Sequence, residues 1–159
     1  MRLGIFADTR DNLTNIRLAV ERFNAEDVEL VLFAGDFVST IALPPLRKLK
    51  APVVACYGDN EGNKLGLQGG FRPIGRLSEP PVRLTTDDGT RIVLVHMKRH
   101  LRGLTDFDVA VFGHTHKPRI EHDEQNRLLI NPGETGGWTF GRPSIALLDS
   151  SRRATIVEL

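Results

Sequence analysis

Residues 2–36, RLGIFADTRDNLTNIRLAVERFNAEDVELVLFAGD, carry a strand, a helix and a second strand in succession. The two ends, residues 2–8 and 28–36, are short and nearly continuous apolar runs, as expected of strands buried on both faces. Between them Asn12 can cap a helix that runs to about residue 26. Its apolar stripe, at three- and four-residue spacing, consists of Leu13, Ile16, Ala19, Val20 and Phe23. This alternation predicts a right-handed βαβ unit and a parallel sheet.

The rest of the chain extends this pattern and then changes it. Residues 43–50 are a short helix candidate, and residues 52–59 form a third buried strand. In the second half, three pairs of strand-like segments predict β-hairpins, the clearest joining PVRLTT to RIVLVHM through DDG. The glycine-rich segment 60–78 is the hardest to assign. We therefore predict one α/β domain over residues 1–159, with two sheets covered by helices.

The composition argues against several classes of function. The formal net charge is +1, so the overall charge does not favour nucleic acid or an anionic membrane as a partner. Cys56 is the only cysteine, which excludes an internal disulfide, and its apolar setting predicts a buried, inert thiol. The N-terminus lacks a signal-peptide layout, and no apolar run reaches the roughly 18 residues of a transmembrane helix. We expect a cytoplasmic protein.

Polar side chains follow the predicted strands at the end where open α/β sheets place their ligands. Five different apolar runs end in a carboxylate or an imidazole: Asp8, Asp36, Asp59, His96 and His114. His116 follows in VFGHTHKP, residues 111–118, and an extended chain would turn both of its histidines to the same side. Any one of these residues alone could be a turn former, a helix cap or a core histidine. Their coincidence at five strand ends favours a divalent metal site.

Five short motifs, DTRDN, AGD, YGDNEG, LVH and GHTH in this order, resemble the motif set of the calcineurin-like metallophosphoesterases. The short chain, INPGE after GHTHKP, and the paired C-terminal hairpin are most similar to the compact YfcE/MJ0936-type phosphodiesterase branch. The resemblance spans nearly the whole chain. It implies an αββα fold, a two-sheet β-sandwich flanked by helices, with metals bound at the loops above the strands.

The same resemblance implies a mechanism and a set of roles. Two divalent cations would clamp a phosphate ester that a metal-bound hydroxide attacks. Asp36 would bridge the ions, and the other ligands would divide into Asp8 with His116 and Asp59 with His96 and His114. We expect one or two ions per chain, manganese first, with zinc, nickel or iron(II) as alternatives.

Two positions depart from the motif set. The family's opening motif is Asp-x-His, but this chain has Arg10, whose guanidinium has no lone pair for a metal. The family has Gly-Asn where this chain has Gly58 and Asp59, and Asp59 can ligate while adding a negative charge. Two interpretations stay open. Arg10 pairs with Asp59 or Asp8 in a weakened site, or it binds a substrate phosphate in bidentate fashion.

Other polar and aromatic residues near the motifs carry weaker signals. Asn60 stands where many members of the wider superfamily have a general-acid histidine, which favours a substrate with a good leaving group. Glu61 is expected to orient a ligand or to be an exposed loop residue. The basic group around His100 is a solvated face or attracts an anionic substrate. Trp138 and Phe140 either form a binding lip or, as we expect, fill space near the second sheet.

We therefore expect a hydrolase, a metal-dependent phosphoesterase and more specifically a phosphodiesterase. The expected catalytic residues are Asp36, Asp59, Arg10 and Asn60. The partner would be a small phosphate ester, with no sign of nucleic-acid or membrane binding, and a homo-oligomer is left open. The alternative function, which Arg10 supports, is a catalytically weakened protein of the same fold that serves as a protein-interaction scaffold.

Overall fold

Eleven strands and three α-helices make up the computed structural model, which describes residues 1–159. The strands in chain order are β1 (Leu3–Phe6), β2 (Leu30–Phe33), β3 (Val53–Cys56), β4 (Gly75–Ser78), β5 (Val82–Thr85), β6 (Arg91–Leu94), β7 (Val109–Val111), β8 (Arg119–His122), β9 (Leu128–Asn131), β10 (Ser144–Leu148) and β11 (Ala154–Glu158). The helices are α1 (Leu13–Ala25), α2 (Leu43–Leu46) and α3 (Lys64–Phe71), with 3₁₀ helices at Thr40–Ala42 and Lys98–Leu101.

Two mixed sheets pack face to face across a shared apolar layer. The first sheet has the order β11-β10-β1-β2-β3-β4 and the second the order β5-β6-β7-β9-β8. Strands β1 to β4 are parallel to one another. The three predicted hairpins are the antiparallel pairs β5–β6, β8–β9 and β10–β11. The predicted fold class, an α/β sandwich of two sheets flanked by helices, is confirmed.

The N-cap and the apolar stripe of α1 explain how this helix covers the first sheet. Asn12 caps the helix by accepting a hydrogen bond from the backbone N–H of Asn15. The buried members of the predicted stripe pack on the outer face of this sheet: Ile16, Ala19, Val20 and Phe23. The outer face of the second sheet is covered by the short 3₁₀ helix and the loop that follows it, instead of an α-helix.

The glycine-rich segment 60–78 contains α3 and β4, neither of which the sequence analysis assigned. Three glycines in KLGLQGGF lower its helical propensity, so the burial of Leu67 and Phe71 decides its structure. Strand β4 then adds an edge to the sheet beside β3. The helix expected over residues 43–50 is shorter, because α2 ends at Leu46.

The sequence also predicted that Cys56 is buried and inert and that no apolar run forms a transmembrane helix. Cys56 is fully buried, and this burial raises the pKa of its thiol, as expected of an inert cysteine. None of the helices is both long enough and apolar enough to pass through a membrane.

A test of the core is the substitution Phe33→Ala. The Phe33 ring is fully buried and packs edge-on to Phe6 at 4.3 Å and stacked on Phe37 at 3.6 Å, between ring centroids. Its removal leaves a cavity that should lower the free energy of unfolding by about 3–5 kcal/mol. Urea denaturation followed by circular dichroism measures this loss, and one cooperative transition would support the single-domain prediction.

The matched control is Phe140→Ala. This ring is 50% exposed, so its loss should change the free energy of unfolding by about 0.5 kcal/mol or less. Equal losses in the two variants would contradict the proposed position of the core.

Candidate metal centre

Two groups of ligand-type side chains lie beyond the carboxyl ends of the strands. The open cluster consists of Asp59, His96 and His114, and the buried cluster consists of Asp8, Asp36 and His116. Within each cluster the candidate ligand atoms lie within 4.8 Å of one another. Asp59 and His114 are exposed, whereas all members of the buried cluster are buried. The structure thus brings the six expected metal ligands together in two neighbouring groups.

The backbone that carries these side chains is strained. Asp8, Asp36, His114 and His116 have φ angles of 53°, 66°, 68° and 62°, in the left-handed region that non-glycine residues rarely adopt. The two histidines of GHTH therefore do not continue the extended geometry of the strand. The chain turns after β7, and each histidine belongs to a different cluster.

Glycines next to the ligands allow the loops to approach each other closely. A Cβ atom at Gly58 would lie 2.1 Å from Asp36 Oδ1, and one at Gly113 would lie 2.7 Å from Asp8 Oδ2. The residues that follow these glycines use their backbone to hold the two carboxylates. Asp59 N–H donates to Asp36 Oδ1, and His114 N–H donates to Asp8 Oδ2, both at 3.0 Å.

Hydrogen bonds orient the two buried imidazoles. His96 Nδ1 lies 2.7 Å from the carbonyl oxygen of Ala34, and His116 Nδ1 lies 3.0 Å from Glu134 Oε2. Both contacts place the proton on Nδ1 and turn Nε2 toward the clusters, as in metal-binding histidines.

Two buried atoms at the junction of the clusters have no hydrogen-bond partner. They are His96 Nε2 and Asp8 Oδ1, which lie 4.0 Å apart. With its proton on Nδ1, His96 presents only a lone pair at Nε2, so the carboxylate oxygen of Asp59 at 2.9 Å is not a hydrogen-bond partner. Buried polar atoms without a partner are costly, and an imidazole nitrogen beside a carboxylate oxygen is a common ligand pair for a divalent metal ion. The residues present therefore fit a metal ion.

The charges within each cluster shift the pKa values of its members and so affect how readily they can bind a metal ion. Burial alone would raise the pKa of Asp59, but the charges of His96 and His114 outweigh it and lower that pKa overall. In the buried cluster, the carboxylate of Asp8, whose Oδ1 lies 3.3 Å from His116 Nε2, raises the pKa of His116 because it stabilises the protonated imidazole. A proton on His116 therefore competes with a metal ion for the same nitrogen.

Glu61 orients the loops that carry Asp36 and Asp59. Its carboxylate accepts hydrogen bonds from the backbone N–H groups of Asp36 at 2.7 Å, Phe37 at 3.1 Å and Gly58 at 2.9 Å. Burial raises the pKa of Glu61 despite these bonds. The orienting role agrees with the sequence interpretation, and the alternative of an exposed loop residue is wrong.

Glu134 has a similar role for His116 and is absent from the sequence-derived site. It is buried, holds His116 Nδ1, and accepts hydrogen bonds from the backbone N–H groups of Thr139 and Phe140. The sequence signal that could have identified it is the glutamate of INPGE, three residues after the end of β9.

Arg10 lies in the buried cluster. Its Nη2 donates to Asp36 Oδ2 at 2.7 Å and lies 3.4 Å from His116 Nε2. One of the two open interpretations, an ion pair with Asp59 or Asp8, is therefore wrong in its partner, which is Asp36. Asn60 Nδ2 donates to the same oxygen at 2.8 Å, so this oxygen receives two side-chain donors.

The aromatic residues of GGWTFGRP lie at the surface near the clusters. Trp138 is 66% exposed and donates its indole N–H to the carbonyl oxygen of Arg10 at 3.1 Å. Phe140 is half-exposed and lines a cavity of about 400 Å³ together with His116 and Lys117. The expectation that both rings fill space near the second sheet is wrong, and a binding lip agrees better with their position. His100 is exposed on its 3₁₀ helix, as a solvated face requires.

Comparison with known proteins identifies the class that this fold and site define. The model of the calcineurin-like phosphoesterase superfamily domain matches residues 1–153, so the chain belongs to the calcineurin-like phosphoesterase superfamily. A curated relative, phosphodiesterase MJ0936 of Methanocaldococcus jannaschii, is 34% identical over 162 residues, which cover 96% of this chain and 95% of the relative.

Solved structures agree with this assignment. One described as a novel archaeal phosphodiesterase has a TM-score of 0.91 and 34% identity, and the match covers 100% of both chains. YfcE, a phosphoesterase from E. coli, shares the fold with a TM-score of 0.74 and 21% identity over 99% of this chain and 98% of its own. The resemblance to this superfamily and its compact branch is confirmed, and the named homologues support a hydrolase role.

The contribution of Glu61 can be measured with Glu61→Gln. This variant keeps the shape of the side chain but turns one acceptor oxygen into an amide group that faces a backbone N–H. We expect the affinity for Mn²⁺ to fall about 10- to 100-fold, because the loops of Asp36 and Asp59 lose their anchor. Isothermal titration calorimetry on the folded variant gives the affinity.

Glu79→Gln is the control for this experiment, because Glu79 is an exposed glutamate that pairs only with Lys64. Its affinity for Mn²⁺ should equal that of the wild type. A wild-type affinity in Glu61→Gln would show that Glu61 does not position the ligands.

Proposed function

We propose that the protein is a metal-dependent phosphoesterase that hydrolyses phosphodiesters. The observation that carries the proposal is the pair of buried, unpartnered ligand atoms, His96 Nε2 and Asp8 Oδ1, where the two clusters meet. The name of the 34% identical relative, a phosphodiesterase, supports the choice of diesters within the superfamily.

In this proposal the open cluster, with Asp36, holds a divalent ion. His96 Nε2 lies 2.9 Å from Asp59 Oδ1 and 3.4 Å from Asp36 Oδ1, so these three side chains converge on one small volume. When bound, the ion would polarise the phosphoryl group and lower the pKa of a water molecule that attacks it. Manganese is the first candidate, with zinc, nickel or iron(II) as alternatives, because oxygen and nitrogen donors accept all four.

The remaining groups bind and orient a small, anionic phosphate ester. The substrate reaches the site from the solvent side, where Asp59 and His114 are exposed. Arg10 contributes a permanent positive charge beside the reacting phosphate, and Asn60 holds the carboxylate of Asp36 in place. The side-chain amide of Asn60 is too weak an acid to protonate a leaving group, so substrates with good leaving groups are expected to react fastest.

An activated aryl phosphodiester tests the proposal directly. Slow, manganese-stimulated cleavage is expected in the wild type and should stop when the metal is removed with a chelator. Asp36→Asn and His114→Ala should each lower the rate by at least about 100-fold, equivalent to about 2.7 kcal/mol of transition-state stabilisation. Release of the aryl alcohol, followed by absorbance, measures the rate.

His122→Ala is the control, because His122 is an exposed histidine on β8 that belongs to neither cluster. Its rate should match that of the wild type. Circular dichroism must show that all variants are folded, since a metal site contributes to stability as well as to chemistry.

A protein-interaction scaffold is the second candidate function. One observation favours it: Arg10 already neutralises Asp36 within the buried cluster without any metal ion. If the metal-loaded wild type cleaves neither diesters nor monoesters faster than Asp36→Asn and His114→Ala, the catalytic proposal fails. The scaffold would then become the leading hypothesis.

A further inference from the structure

The two clusters differ in the positive charge that they already contain. The open cluster has three ligand-type side chains and no arginine or lysine, whereas the buried cluster includes the guanidinium of Arg10. We propose that Arg10 takes the place of one of two cations, so that the protein binds a single divalent ion in the open cluster. This inference rests on the proposed function and deepens it, because Arg10 then supplies the second positive charge of the centre.

Nη2 of Arg10 contacts the two atoms that a second metal ion would have to bind. Nη2 lies 2.7 Å from Asp36 Oδ2 and 3.4 Å from His116 Nε2. A metal ion would bind the same two atoms at about 2.0–2.2 Å, and so would compete for the lone pairs that face Nη2. It would also place two further positive charges beside a guanidinium that cannot be deprotonated. Arg10 and a metal ion therefore exclude each other from the buried cluster.

The backbone of Arg10 is fixed on both sides of the side chain. Its N–H donates to the carbonyl oxygen of Asp36 at 3.1 Å, and its own carbonyl accepts from the Trp138 indole at 3.1 Å. The φ angle of 42° places it in the left-handed region, which is kept only where such contacts hold it. The guanidinium thus starts from an anchored position, unlike a surface arginine with a free choice of partners.

The guanidinium also keeps nitrogen atoms for a ligand. Its protein contacts are made by Nη2, and Nη1 makes no hydrogen bond to the protein. The side chain is 32% exposed, so one part of it faces Asp36 and another reaches the solvent. A phosphoryl oxygen can accept a hydrogen bond from this outer part, because guanidinium donors match the geometry of a phosphate. Arg10 can therefore neutralise Asp36 and contact the substrate at the same time.

The number of bound ions tests this inference without any measurement of activity. Equilibrium dialysis against saturating Mn²⁺, followed by elemental analysis, should give one ion per wild-type chain. Arg10→His removes the fixed charge and adds an imidazole beside Asp8, Asp36 and His116, so it should bind two ions. Arg10→Ala only opens the position, and its second ion should bind about 10-fold more weakly than the second ion of Arg10→His.

The matched control is Arg17→His, which exchanges the same residue types at an exposed position of α1. It should still bind one ion, which excludes a general effect of charge loss or of an added histidine. Circular dichroism checks the fold of each variant, and Arg10→Ala decides the matter if Arg10→His does not fold.

The failure of this inference differs from the failure of the proposed function. Two ions of similar affinity in the wild type, or a single ion in a folded Arg10→His, would overturn the role of Arg10 and leave metal-dependent hydrolysis standing. A wild-type chain that binds no Mn²⁺ or Zn²⁺ would overturn both.

Discussion

The rest of the site depends on the hydrogen bonds that the carboxylate of Asp36 accepts. It is fully buried, and four donors hold it: the backbone N–H groups of Asp59 and Asn60, the amide of Asn60, and the guanidinium of Arg10. These donors come from the loops after β1 and β3, so one side chain at the end of β2 ties three strand ends together. A buried carboxylate with fewer donors would favour the unfolded chain. The loops that supply these donors are therefore held in place as firmly as the packed core.

Much of the fold follows from local patterns in the sequence. The apolar runs and the stripe of α1 predicted the βαβ arrangement, and parallel strands necessarily bring their following residues to one edge. This is why Asp8, Asp36 and Asp59 could be placed together before any coordinates were known. The helix α3 could not be found in the same way. Its glycines oppose helix formation, so beyond the local cap of Asn63 its stability depends on contacts with distant parts of the chain, made through Leu67 and Phe71.

The details of the site were less accessible to sequence reasoning. The left-handed turns at His114 and His116 cannot be read from residue type, since histidine adopts this region only occasionally whereas glycine does so freely. The partner of Arg10 could not be predicted, and Asp36 was not among the carboxylates considered, because a long side chain can reach any of several carboxylates. Glu134 was overlooked because it contacts His116 from 18 residues away. Such contacts depend on tertiary packing rather than on spacing.

The ion pair between Arg10 and Asp36 also bears on the order in which the protein is assembled. A site that gathers buried carboxylates usually needs its metal to offset their mutual repulsion, which couples folding to the supply of that metal. Here the positive charge that offsets this repulsion is the guanidinium of Arg10, which is part of the polypeptide itself. If one ion binds at the exposed side as proposed, the chain is expected to complete its tertiary structure without a supply of metal and to accept the ion afterwards. Biosynthesis and metal acquisition would then be separate events.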